Sequence, residues 1–143
     1  MQCPFCSHQE TKVLESREVD ESIRRRRECL KCENRFTTYE KAIFHFSVQK
    51  KDGREQVYNL DKIKNSLVKS CGKIEDTELA ELTRKIEQTI LSRKLNPIPT
   101  TKIGKIVLKE LMKFDKMAYL RFATIHKSID DPRLLKKELE IIV

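Results

Sequence analysis

Two short cysteine motifs, Cys3-Pro4-Phe5-Cys6 and Cys29-Leu30-Lys31-Cys32, govern what the first forty residues can become. Two residues between thiols let one tight turn aim both sulfurs at a single ion, and a second such turn completes a tetrahedral thiolate shell. The 22 residues between the pairs slightly exceed the usual four-Cys zinc spacing. A segment this short lacks a sufficient core, so an ion would have to staple it. The competing readings of the four thiols are a pair of disulfides and a redox dithiol. A reducing compartment disfavours the first, and the second is expected beside a βαβ pattern, which is absent. Zn2+ on Cys3, Cys6, Cys29 and Cys32 is the expected metal centre. The fifth cysteine, Cys71, shares a helical face with Ile63 and Leu67 and reads as a small core residue.

Between and after the cysteine pairs, "TKVLESREV" and "SIRRRREC" read as strands joined around Asp20–Ser22, and "NRFTTYE" supplies a third. Residues 1–41 are therefore expected to form a zinc ribbon. Side chains alternate along a strand, so Arg24 and Arg26 share one face and Arg25 and Arg27 the other. The four cannot all touch one surface unless the strand enters a groove edge-on. Glu28 stands next to the run, placed to orient a guanidinium, and Lys12, Arg17 and Arg35 flank it on the neighbouring strands. Arginine suits phosphate forks and bidentate pairing with guanine. Residues 1–40 carry as many acidic as basic side chains, so the formal charge of +8 falls entirely on the rest of the chain. Nucleic-acid binding by the ribbon would thus rest on a local patch. No aromatic pair interleaves the arginines, which favours duplex DNA over a single strand. The plain alternative is a solvated basic strand, or one that docks an acidic protein surface.

Residues 42–143 change character. Phe44, Phe46 and Val48 alternate as in a half-buried strand, Asp52-Gly53 is a hairpin-turn signal, and "EQVYN" returns. Helical patterns follow, with Leu60, Ile63, Leu67 and Cys71 on one face of the first. Asp76 or Thr77 is the expected cap of the second, Thr100 or Thr101 of the third, and Asp115 of the fourth. "NPIP" reads as a break, and Asp131-Pro132 opens a last short helix. The fold class is α+β: a small all-β ribbon, then a mainly helical domain opened by a hairpin.

Lys50, Lys51 and Arg54 cluster around the hairpin turn, and Lys62 lies near a helix start, where phosphates are favoured. No Gly-rich phosphate loop of the GxxxxGK[ST] or GxGxxG type occurs, and no nucleophile–base set or catalytic carboxylate pair stands out. His8, His45 and His126 are scattered. Read from these residues alone, the second domain offers a regulatory polyphosphate site and no enzyme active site. No apolar run approaches the ~20 residues needed to span a bilayer, and no basic-then-apolar signal segment opens the chain. A cytoplasmic protein without a membrane partner is expected.

"CPFC", "ESREV", "RRRREC", "CLKCENRFTTYE", the Lys50–Arg54 turn and "MAYLRFATIHKSI" together resemble the NrdR-type repressors of ribonucleotide reductase genes, over nearly the whole chain. The resemblance implies a zinc ribbon fused to an ATP-cone domain. It implies paired boxes of double-stranded operator DNA as partner, and ATP or dATP, with Mg2+ as a companion ion, as regulatory ligands. It further implies a homo-oligomer whose size and DNA affinity follow the nucleotide. Carried over by position, Arg24 to Arg27, with Arg17 and Lys12, would face DNA, and Arg35, from its flanking place alone, would widen that DNA-binding patch. Lys50, Lys51, Arg54 and Lys62 would take phosphates, and Val48, Gln56 and His126 would lie near the base. Gln56 stands where the family usually has Glu, and His126 where it commonly has Tyr. The alternative from a different class is a protein-interaction adaptor that keeps a regulatory nucleotide site.

Overall fold

A computed structural model describes residues 1–143. The chain divides into two compact units, Met1–Phe44 and His45–Val143, each built on its own principle.

The first unit is a three-stranded antiparallel sheet of β1 (Thr11–Val19), β2 (Ser22–Cys29) and β3 (Arg35–Lys41), in the order β1-β2-β3. The arginine strand β2 is therefore central, with both edges paired, and cannot enter a groove edge-on. Its partners set its two faces: Arg24 pairs with Arg17 and Tyr39, Arg25 with Ser16 and Thr38, and Arg27 with Val13 and Phe36. A bulge at Leu14 shifts the β1 register between Val13 and Glu15. In this unit only Cys3 and Cys29 are fully buried, each 1% exposed, so no apolar core holds the sheet. Each cysteine turn closes on itself, with the Ser7 N–H donating to the Cys3 carbonyl and the Glu33 N–H to the Cys29 carbonyl. Ser7 and Glu33 follow their cysteine pairs at φ 62° and 60°, a left-handed conformation that favours glycine.

The second unit has a buried core. A small sheet runs in the order β5-β4-β6, from β4 (Ser47–Gln49), β5 (Glu55–Val57) and β6 (Ile98–Pro99). Around it stand α1 (Leu60–Cys71), α2 (Asp76–Ser92), α3 (Thr100–Phe114), α4 (Lys116–His126) and α5 (Pro132–Ile142). Leu67, Ile86, Ile90, Ile98 and Leu111 are the largest side chains wholly out of water. They come from three helices and from β6, so burying them fixes the helices to the sheet.

Several local expectations need correction. The alternating stretch from Phe44 contributes only Ser47–Gln49 to the sheet, and Phe44 is exposed. "NPIP" does more than end a helix: Ile98 and Pro99 pair parallel with Val48 and Gln49. Helix α2 is capped at Glu75 and α3 at Pro99, neither with a side-chain cap bond. Of the two hydroxyls expected to cap α3, on Thr100 or Thr101, neither does: Thr100 instead donates to the Gln49 carbonyl at 2.8 Å, so a tertiary contact wins over a local one. Asp115 and Asp131 do cap α4 and α5, accepting from the Met117 and Arg133 N–H groups at 2.9 and 2.8 Å.

Candidate functional site

The four sulfurs of Cys3, Cys6, Cys29 and Cys32 lie within 4.8 Å of one another. Cys3 Sγ and Cys32 Sγ are 3.6 Å apart, as are Cys6 Sγ and Cys29 Sγ. A tetrahedral ion at ~2.3 Å from each sulfur would put the sulfurs ~3.8 Å apart, so the shell fits zinc. The backbone is arranged for thiolates. Cys29 Sγ faces the Lys31 and Cys32 N–H groups at 3.3 and 3.5 Å, and Cys3 Sγ faces the Phe5 N–H at 3.4 Å. The Cys32 N–H, working against burial, holds the Cys29 thiol below its ordinary range, and the Asn34 N–H draws Cys32 down to about 6. With no other buried side chain in the unit, an ion here supplies what the missing core would have supplied.

The arginine face is divided by the sheet. Arg25 is engaged by Glu40, and Arg27 donates to Thr38 Oγ1 at 3.1 Å and Thr11 Oγ1 at 3.4 Å. Both lie on the face shared with Phe36. On the opposite face Lys12 and Arg35 both clasp Glu28, at 3.0 and 2.9 Å, which lowers that carboxyl below its ordinary range. Arg17 pairs with Glu15. Arg24 and Arg26 stand in the middle of this second face, and no protein group holds either guanidinium. Tyr39, 64% exposed, sits beside Arg24 on the same face.

In the second unit a cleft of about 190 Å³ opens between the small sheet and α1, α3 and α4. It brings together Val48, Lys50, Gln56, Lys62 and His126 of the residues expected near a nucleotide. Lys51 and Arg54 are not in its lining. Arg54 Nε is held by Asp52 Oδ2 at 2.6 Å on the hairpin tip, while Lys51 acts on the cleft only through its charge on His126. Lys62 Nζ donates to Gln56 Oε1 at 3.2 Å. His126 lies nearly parallel to Phe122, with ring centroids 5.6 Å apart. Burial first, then the charges of Lys51 and Lys127, push the imidazole below its usual pKa, which leaves it neutral near pH 7.

The cleft also recruits residues that the sequence reading passed over: Tyr58, Ser66, Thr100, Gly104 and Phe122. Tyr58 stacks on Phe46 at 4.3 Å and donates to Glu87 Oε1 at 3.2 Å, and burial followed by Glu87 raises its phenol. Phe122 is one helical turn before His126, so the spacing could have exposed it. Gly104, alone in a helix pattern, carried its own signal: a methyl there would fall 1.9 Å from His126 Cε1. At about 190 Å³ the cleft is smaller than the ~300 Å³ of typical small-molecule pockets.

Comparison with known proteins agrees in both units. Residues 1–40 match the model of the transcriptional repressor NrdR-like N-terminal domain, and residues 46–132 match the ATP cone domain. The "Transcriptional repressor NrdR" of Verminephrobacter eiseniae is 43% identical over 147 residues, covering 97% of this chain and 99% of the relative. That of Koribacter versatilis is 41% identical, covering 98% and 89%, and that of Finegoldia magna 38%, covering 97% and 96%. With a four-thiolate ribbon, a cone cleft and similarity along the full chain, this protein belongs to the NrdR family.

Proposed function

We propose that the chain is a nucleotide-responsive transcriptional repressor acting in the cytoplasm on operator DNA of ribonucleotide reductase genes. The observation that carries the reading is the pair Arg24 and Arg26. They project from one face of a central strand, without protein partners, in a unit whose other cations are largely tied to Glu15, Glu28 and Glu40. A guanidinium on a metal-stapled strand has a defined direction, which base reading needs and a solvated cation does not. Lys12, Arg17 and Arg35 flank the pair and suit phosphate positioning. Arg25 and Arg27, on the far face, hold the ribbon together.

The cone takes ATP or dATP, with the base against Val48, Phe122 and His126 and the phosphates toward Lys50 and Lys62. The ligand sets how cones assemble into homo-oligomers, and the assembly sets the spacing of ribbons on DNA. It can act only through unequal affinity for the alternative assemblies.

The test is fluorescence anisotropy of the full-length, zinc-replete protein on duplex from upstream of a ribonucleotide reductase gene and on a scrambled duplex. Arg24→Ala and Arg26→Ala should each cost about 1–3 kcal/mol of discrimination between the duplexes. Arg25→Ala should leave discrimination intact. Equal affinity of the wild-type chain for both duplexes would end the repressor reading.

A further inference from the structure

Helix α3 has two working faces. Gly104, Val107 and Ile103 line the cleft. At 3.6 residues per turn, Lys102, Lys105 and Lys109 fall on the opposite side of the helix. There they line a separate groove of about 400 Å³ together with Arg93, the residue that ends α2. None of the four cations has an ion-pair partner, and the one carboxylate in the groove, Glu110, already accepts from Lys113 at 3.4 Å. All four are solvent-exposed and outnumber the single carboxylate, so the groove presents a positive field to solvent.

We propose that this groove on the cone binds the phosphate backbone of duplex DNA, adding a sequence-independent contact to the base-reading face of the ribbon. The proposal rests on the repressor reading above and deepens it. The groove's chemistry selects the occupant. Ile106 is its only apolar lining residue, so it offers no slot for a nucleotide base and no pocket for the apolar anchors that dominate protein interfaces. From Lys102 to Lys109 the helix rises about 10 Å at ~1.5 Å per residue. That length covers about three inter-phosphate steps of one DNA strand, at ~3.4 Å each along the axis, so each of the three lysines has a phosphate within reach. Lysine, a flexible point charge, suits backbone contact without base selection.

Each phosphate neutralised releases counterions and steepens the fall of log K with log salt by ~0.9. The experiment is a salt titration, by anisotropy, of full-length wild type and the Lys102→Gln/Lys105→Gln/Lys109→Gln variant. It uses the operator and scrambled duplexes, with saturating dATP and zinc. The variant should bind with a slope shallower by about 2–3 on both duplexes, keeping the operator-to-scrambled ratio and its dATP affinity by calorimetry. Arginine at the same three positions should keep the wild-type slope. An unchanged slope in the glutamine variant would overturn the proposal and hand the groove to an acidic protein. A loss confined to the operator duplex would overturn it too, since backbone contact reads no sequence. Wild type without operator preference would instead sink the repressor reading, and the slope comparison would still report on the groove.

Discussion

Gly104→Ala should separate the nucleotide cleft from the stability of the cone. A methyl carbon at this position would lie 1.9 Å from His126 Cε1 and 2.1 Å from Nε2, where ordinary contact begins near 3.4 Å. The imidazole must therefore move by about 1.5 Å. It is the end of a flexible side chain, so the backbone need not follow. Glycine to alanine inside a helix gains about 1 kcal/mol in propensity. Forcing the ring off its rotamer costs about 0.5–1.5 kcal/mol. The two nearly cancel, so the melting temperature should barely change. The cleft is affected differently. Displacing His126 unstacks it from Phe122 and removes it as a partner for an adenine, worth about 0.5–1.5 kcal/mol. Affinity for ATP and dATP should fall roughly 2- to 10-fold by calorimetry. If the ring is the route, the Gly104→Ala/His126→Ala double variant should bind no more weakly than His126→Ala alone. Unchanged affinity in Gly104→Ala, or fully additive losses in the double variant, would refute the assignment of His126 to the nucleotide seat.

Cys29→Ser should unfold residues 1–44 and abolish operator preference, leaving at most weak sequence-independent binding through the cone, while the cone still melts cooperatively and binds nucleotide; a variant that kept its ribbon amide spectrum would contradict the thiolate staple. Glu138 is the buried carboxylate that fixes α5 to α4, accepting from Lys127 Nζ at 2.6 Å and Tyr119 Oη at 2.9 Å. Burial works to raise its pKa, but the Lys127 and Tyr119 bonds outweigh it and the net shift is downward. A carboxyl lowered in the folded state stabilises the protein above its ordinary pKa near 4.5 and loses that contribution as pH falls through the lowered value. The opening free energy of the α5 amides, from hydrogen exchange corrected for the pH-dependent intrinsic rate, should therefore fall below about pH 4.5 in wild type. In Glu138→Gln that opening free energy should already be lower at pH 7, by about 1–2 kcal/mol after allowing for the partly exposed Lys127, and should fall less on acidification. A Glu138→Gln profile as pH-dependent as wild type would remove Glu138 from that role.

Sequence reading succeeded where a residue's task depends on its near neighbours, and failed where the task comes from a distant segment. The cysteine pairs fix their own turns, so the metal shell could be foreseen from spacing. Asp115 and Asp131 cap helices that begin at the next residue. The alternation of the four arginines is also local, and Arg24 and Arg26 do share a face. Which face carries free cations is not local. It depends on β2 being central and on Glu40 and Glu28 arriving from, or reaching to, neighbouring strands. Thr100 lost its expected capping role to a carbonyl 51 residues away. Strand β6 exists only because Val48 and Gln49 offer it an open edge. Gly104 and Phe122 were within reach, one as an isolated helix glycine and the other one turn from His126.

The opposition of the two faces of α3 leads to a last prediction. One side of this helix walls the cleft through Gly104 and Val107, and the other carries Lys102, Lys105 and Lys109. A nucleotide that repositions α3 would alter what those lysines present to DNA. Typical couplings between sites are about 1–3 kcal/mol, or 5- to 150-fold in affinity. Linkage requires the effect to be reciprocal: whatever factor dATP adds to DNA affinity, DNA must add to dATP affinity. Titrating dATP into the protein with and without saturating operator duplex measures one leg, and titrating duplex with and without dATP measures the other. The lysine-to-glutamine triple variant then isolates the helix. If α3 carries the coupling, that variant should show a smaller factor on both legs, equal to each other. Should both legs keep the wild-type factor while the salt slope falls, the groove would bind DNA without relaying the nucleotide, and the signal would have to pass through cone assembly alone.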